Sequence, residues 1–140
     1  MVRISNKDLL RILQQNSRTP FIEIARRLKV TETAVRKKVK KLQEEGVIRR
    51  FTIEIDPKKI GFAVQAIIGV DTKPEKYIPA IEKMKNMEEV LSLYSSSGDH
   101  MILMECWFKD TEELRKFLKK LESIDGVTRI CPAIILEKIK

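Results

Sequence analysis

Three short amphipathic segments, each opened by a capping residue and separated by only a few residues, fill the first 45 positions of the chain. Helices joined so tightly must share one apolar core, which narrows the fold of this region to a small helical bundle. The first helix is read over about Asn6 to Gln15, with Ile4, Leu9, Leu10, Ile12 and Leu13 as its apolar stripe. Ser5-Asn6-Lys7-Asp8 has the spacing of a capping box. The second helix opens at Thr19-Pro20, with Thr19 as N-cap and Pro20 as first helical residue, and its stripe is Phe21, Ile24, Ala25 and Leu28. After Lys29-Val30, Thr31 caps a third helix that runs to Glu45 and stops at Gly46.

Two short helices joined by a tight turn, the second of them basic, form the pattern of a helix-turn-helix. At about 100° per residue, Val35, Val39 and Leu42 share one face of the third helix and must pack inward. Thr33, Lys37, Lys40 and Glu44 point the other way, with Arg36 and Lys41 on the flanks. Five of the six residues from Arg36 to Lys41 are basic, and the exception, Val39, belongs to the core. Residues 33–43 contain no acid, whereas a helix exposed only for solubility usually mixes both signs. Residues 1–60 carry a net charge of +9 and residues 61–140 a net of −1, so the excess of +8 belongs to the helical half. That asymmetry predicts a polyanion-binding module joined to something else, with double-stranded DNA as the partner.

A recognition helix lying in the major groove brings its N-terminal residues to base edges and its later and flanking residues to phosphates. Thr33, Arg36 and Lys37 are therefore the candidates for base contact, and Arg36 has the fork that suits a guanine edge. Lys40, Lys41, Arg18 and the capped start of the second helix are better placed for phosphates. Thr19 and Thr31, the caps of the two helices, complete the DNA-binding set.

At this point the residues resemble the Lrp/AsnC transcription regulators, also known as feast/famine regulatory proteins. The match runs through Asp8-Leu9-Leu10-Arg11-Ile12-Leu13-Gln14, Ser17-Arg18-Thr19-Pro20, Glu23-Ile24-Ala25 and Leu28-Lys29-Val30-Thr31. It continues through Val35-Arg36-Lys37-Lys38-Val39-Lys40-Lys41-Leu42, Gly46-Val47-Ile48 and Asp56-Pro57-Lys58-Lys59-Ile60-Gly61. Lys29 departs from the pattern, since the family usually has Gly in this turn. A left-handed Lys there would cost ~1 kcal/mol relative to Gly.

Residues 51–55 alternate apolar and polar side chains, which predicts a half-buried strand ended by Asp56-Pro57. The resemblance implies that this segment pairs with its copy from another subunit. Beyond it, the chain reads as one unit twice: strand Phe62–Val70, helix Glu75–Lys85, strand Val90–Ser95, then strand Met101–Phe108, helix Thr111–Leu121 and strand Val127–Glu137. The expected class is α+β: an N-terminal helix-turn-helix domain over 1–50, a linker strand and hinge over 51–61, and a ferredoxin-like βαββαβ domain over 62–140. Pro79 is expected to confine the first of these helices to the residues that follow it. Asp110 and Glu113 frame the start of the second.

The strands are apolar on both faces: Ile102, Met104, Cys106 and Phe108 alternate with Met101, Leu103, Glu105 and Trp107. Two helices cover one face of a four-stranded sheet, so the other calls for a second layer, most simply the same sheet of another copy. A homodimer follows from the patterning, and the resemblance implies further assembly into an octamer or another higher oligomer.

Ser96, Ser97, Gly98, Asp99, His100 and Met101 lie between the two βαβ units. The resemblance implies an effector-binding loop here, commonly for an amino acid. Met101 stands where the family typically has a second aspartate. Serine, glycine and aspartate also compose ordinary tight turns, and a lone histidine beside one reads first as a surface or interface residue. Asp99 would meet an ammonium, and Ser96, Ser97 and backbone N–H groups a carboxylate.

Cys106 and Cys131 form no CxxC pair and sit among apolar residues, which reads as buried free thiols; with one histidine, no metal site and no cofactor are expected. No paired-carboxylate, nucleophile or phosphate-loop pattern is present, so no catalytic residues are assigned and no enzyme is expected. A decarboxylase of the same fold would need a basic, histidine-bearing pocket in a half that offers one histidine, Arg115 and Arg129. A weakly specific architectural DNA-binding protein stays open, because the cationic half would serve it equally well. An RNA-binding sheet would expose stacking aromatics that these strands lack. With no apolar run of spanning length and no apolar signal core, the chain is expected in the cytoplasm, away from membranes.

Overall fold

The computed structural model describes residues 3–140, which form two compact units divided between Ile55 and Asp56.

The first unit holds α1 (Asn6–Gln15), α2 (Phe21–Leu28) and α3 (Glu32–Glu44). Leu9, Ile12 and Leu13 of α1, Ile24 and Ala25 of α2, and Val35, Val39 and Leu42 of α3 form one buried cluster. Full burial of each larger aliphatic side chain stabilises the bundle by roughly 1.5–3 kcal/mol. The Ser5 hydroxyl accepts from the Asp8 N–H at 3.3 Å and opens α1. Thr31 caps α3 in the same way, its hydroxyl accepting from the Ala34 N–H at 3.1 Å. The α2 cap differs from expectation: Pro20 occupies the N-cap position, no side chain caps the helix, and the Thr19 hydroxyl donates back to the Asn16 carbonyl at 2.7 Å. With α2 starting at Phe21, Thr19 stands one residue before the N-cap, and its hydroxyl ties the preceding turn instead. Lys29 is left-handed, with φ 56° and ψ 46°, as the turn into α3 demands.

Residues 51–55 carry no strand in the single chain, and Ile53 is 72% exposed. Their alternation is real, but a lone strand has no ladder, and the unit offers no strand to pair with it.

The second unit is a four-stranded antiparallel sheet of order β2-β3-β1-β4, built from β1 (Val64–Thr72), β2 (Val90–Ser95), β3 (Ile102–Phe108) and β4 (Val127–Ile134). With α4 (Tyr77–Lys85) and α5 (Thr111–Glu122) it makes the ferredoxin-like βαββαβ arrangement. Ala66, Ile68 and Val70 of β1 and Ile102, Met104, Cys106 and Phe108 of β3 face Ala80 and Met84 of α4 and Leu114, Phe117 and Leu121 of α5. The rings of Phe108 and Phe117 tilt against each other at 5.3 Å.

Three elements of this unit differ from the sequence reading by two residues or more. α4 begins at Tyr77, ahead of Pro79, because Pro79 falls in the first turn, where its absent N–H has no intrahelical partner to lose. β1 is displaced by two residues, to Val64–Thr72, after the turn Pro57–Ile60 and a left-handed Gly61 delay its start. β4 ends at Ile134, opposite Ala66 and short of Glu137; one further bond, from the Ile135 N–H to the Gln65 carbonyl at 2.9 Å, closes the pairing. At α5 the box is skewed by one residue: Asp110 accepts from the Glu113 N–H, while the Glu113 carboxylate reaches the Lys109 N–H at 2.8 Å.

Candidate nucleic-acid interface and effector loop

With Val35, Val39 and Leu42 fixed inward, α3 turns Thr33, Lys37, Lys40 and Glu44 to solvent. Thr31, Arg36 and Lys41 are exposed as well. Lys37 and Lys40 have no ion pair among the described residues, so their charge is uncompensated. Arg36 lies 2.7 Å from Glu32 Oε1, one turn back on α3, and Lys41 lies 3.9 Å from Glu45 Oε1. Exposed i,i+4 pairs are worth only about 0.3–0.5 kcal/mol, so both side chains are free to exchange these partners for an anion.

Arg18 is exposed beside the start of α2, its N–H held by Asn16 Oδ1 at 3.0 Å. Thr19 is the correction within the DNA-binding set. Its residue is only 9% exposed and its hydroxyl is spent on Asn16, so it locks the α1–α2 turn rather than facing a phosphate. Sequence reasoning passed over Arg49 and Arg50, both exposed just after α3; a dibasic pair next to the basic helix was the available signal.

The loop 96–101 connects β2 to β3, and its geometry depends on a residue the sequence reading did not include. Asp71, near the end of β1, accepts the Met101 N–H at 2.9 Å through Oδ1. Its Oδ2 lies 3.0 Å from His100 Nδ1, and because an ionised carboxylate only accepts, Nδ1 carries the proton of that bond. Hydrogen bonds from His100 and from the Met101 N–H hold the Asp71 carboxyl below its ordinary range. Gly69 makes this possible: the His100 ring lies where a Cβ on Gly69 would be, so any larger residue would push the imidazole away. His100 Nε2 is 3.4 Å from Asp99 Oδ2, and Arg129 Nη1 on β4 is 3.5 Å from Asp99 Oδ1 and 3.9 Å from Asp71 Oδ2.

The remaining loop residues complete the turn. The Ser96 N–H donates to the Met101 carbonyl at 2.9 Å, the Ser96 hydroxyl accepts from the Gly98 N–H at 3.3 Å, and Ser97, Gly98 and Asp99 are exposed. The Met101 side chain packs against the core of the unit. The second carboxylate missing at Met101 is thus present in space: Asp71 approaches from another strand and binds the Met101 backbone. Asp71, Asp99 and Arg129 together offer both signs of charge, the complement of a zwitterion. Asp71 was invisible to local reading because 30 residues separate it from Met101.

The face of the sheet turned away from the helices carries Ile67, Leu103, Glu105, Trp107 and Tyr94, so, contrary to the sequence reading, these strands do present aromatic side chains on it. Ile67 is 41% exposed in mid-sheet, and Trp107 stacks at a tilt on Phe62 at 5.7 Å. Both cysteines are free. Cys131 is only half-buried, short of the buried thiol expected, because β4 is an edge strand; Cys106 is buried, and that burial pushes its thiol up to about 12, which leaves it inert as a nucleophile near neutrality. Among the described residues, no group of histidine, cysteine and carboxylate side chains fits a metal ion, and no helix is long and apolar enough to cross a membrane.

Residues 65–140 match a family model described as the Lrp/AsnC ligand binding domain, and residues 3–49 match one described as winged helix-turn-helix DNA-binding. The chain is 52% identical over 141 residues to the HTH-type transcriptional regulator LrpA of Pyrococcus horikoshii, covering 100% of each. It is 38% identical to the HTH-type transcriptional regulator Ptr1 of Methanocaldococcus jannaschii, covering 94% of this chain and 90% of that one. AsnC of E. coli superposes with a TM-score of 0.83 at 26% identity, covering 99% of this chain and 95% of that one. A feast or famine regulatory protein of M. tuberculosis, solved with L-methionine, has the same fold, with a TM-score of 0.87 at 24% identity and coverage of 96% and 92%. Matched along its whole length to one relative and in both units to the corresponding family models, the chain belongs to the Lrp/AsnC family of helix-turn-helix transcriptional regulators.

Proposed function

We propose that this regulator binds duplex DNA sequence-specifically as a homodimer or larger assembly, through residues 1–50, and responds to an amino acid or related small effector through residues 62–140. Residues 51–61 act as the linker and hinge. The observation that carries the reading is the outward face of α3, where Lys37 and Lys40 stand exposed with no ion-pair partner among the described residues. Thr33, Arg36 and Lys37 read base edges; Lys40, Lys41, Arg18 and the exposed cap Thr31 hold phosphates. The protein works in the cytoplasm and catalyses no reaction.

The dimer is supported by the apolar residues on the sheet's uncovered face, which a second copy would bury. A two-fold dimer presents two α3 helices and calls for a roughly palindromic site, with half-sites about one helical turn or a multiple apart. The effector reading is supported by the mixed charge at Asp71, Asp99 and Arg129 beside the loop Ser96, Ser97, Gly98, Asp99, His100 and Met101. Asp99 and Asp71 receive the ammonium, and Arg129 the carboxylate.

Selecting sites from random duplexes with the purified protein, with and without each of the twenty amino acids, tests the whole reading. The expected product is a symmetric site bound at least about 10³-fold more tightly than random duplex at the same salt. A flat preference would make the protein architectural, and a site unmoved by every amino acid would remove the effector. A monomer in sedimentation at micromolar concentration would remove the dimer.

A further inference from the structure

Lys38 is the basic residue of α3 that faces neither outward with Lys37 nor inward with Val39, and the first unit gives it specific company. Together with Arg3, Ile4, Ser5, Asn6 and Lys7 it lines a notch of about 410 Å³ at the start of α1. Three cations from two separate stretches of chain converge there, and no acid lines it. None of the three has an ion pair among the described residues, whereas Arg36 and Lys41 of the same helix do. Lys38 is half-buried, as a lysine is when its stem packs along the surface and its ammonium stays in water. A concave cluster of uncompensated cations concentrates positive potential and so attracts an anion.

The notch also continues the surface already described. At about 100° per residue, Lys38 follows Lys37 around α3 and lies roughly 60° from Lys41 on the same flank. From Lys37 through Lys41 and Lys38 to Lys7 and Arg3, the cationic surface passes from α3 onto the start of α1. Asp8, the acid in the first turn of α1, is not part of the lining.

We infer that Arg3, Lys7 and Lys38 form a second phosphate clamp, holding the backbone of duplex DNA beside the major groove that α3 enters. The inference rests on the DNA-binding reading above and extends its footprint by about one or two phosphate contacts per subunit. The occupant is a phosphodiester because the notch borders the recognition helix and carries no base-reading geometry. Its contribution is therefore the same for every sequence.

The test uses the full chain and a selected duplex, with affinity measured across a salt series. The R3Q/K7Q variant is expected to weaken binding at least about ten-fold near 0.1 M salt and to lower the slope of log K against log salt by about 1–2 per subunit engaged, with site preference unchanged. The charge-preserving R3K/K7R variant should keep the slope, and K83Q/K85Q, which removes the same charge from exposed positions on α4, should keep it too. A slope for R3Q/K7Q equal to wild type, or reduced no more than in K83Q/K85Q, overturns the clamp while leaving α3 as the DNA-binding element. A wild type with no salt-dependent duplex binding overturns the DNA-binding reading and the clamp with it.

Discussion

The outward face of α3 and the uncovered face of the sheet are both unfinished surfaces, yet they are unfinished in opposite ways. On α3 the inward stripe is complete, and what remains is charge: Lys37 and Lys40, unpaired among the described residues. On the sheet, the helix side is complete, and what remains is apolar: Ile67, Leu103 and Trp107 on a face no helix covers. Uncompensated charge costs little in water and attracts a polyanion from a distance, whereas exposed apolar area gains only on contact with another apolar surface. The same chain therefore carries one surface suited to a salt-sensitive partner and another suited to a flat, complementary one.

The two sides of the sheet should differ most. Phe117→Ala, which empties a place between α5 and β3, is expected to cost about 3–5 kcal/mol in urea denaturation. An effect below ~1 kcal/mol would mean that the helix side is not the core. Leu103→Glu, on the uncovered side, should raise the dimer dissociation constant at least about 100-fold in sedimentation, because it places a charge where a second sheet would pack. Unchanged association would break the contrast at its apolar end. Lys40→Gln should weaken all duplexes alike and lower the salt slope by about 1 per subunit engaged; a slope equal to wild type would break it at the charged end.

A smaller effect is expected at the turn into α3. Lys29→Gly should stabilise the first unit by up to ~1 kcal/mol, since the backbone there is already left-handed. A loss of stability would mean that the lysine side chain contributes more than the strain removes. Acid should act on the second unit through Asp71. Its carboxyl is held below the ordinary value of 3.8, so the folded state favours the charged form. That contribution is fully present above the ordinary carboxylate range and is lost as pH falls through the depressed value. Urea midpoints measured from pH 7 to 3 should therefore show wild type losing its advantage over Asp71→Asn only at the acid end. A constant gap would mean that the hydrogen bonds from His100 and Met101 do not depend on the charge.

Much of this was legible in the residues because it is local. Ser5 and Thr31 cap helices since a hydroxyl reaches an N–H three residues on, and the stripe of α3 follows from its own period. Thr19 shows where local reading stops: its residue type suits a cap, but α2 begins at Phe21, which puts Pro20 at the N-cap and Thr19 one position outside it. At Pro79 the general cost of proline in a helix was applied to a position in the first turn, where it does not operate. Residues 51–55 alternate as a strand must, but pairing needs a second strand.

The sequence by itself determined the capped helices, the position of the charge and the two-sided apolar strands, because each depends on side-chain chemistry repeating at the period of the backbone. Only the tertiary structure decided that Asp71 would stand in for the carboxylate missing at Met101, that Gly69 would make room for His100, and that Arg3 and Lys7 would meet Lys38. Those meetings join residues from separate elements. No period within one segment records them, since packing between elements fixes the distances.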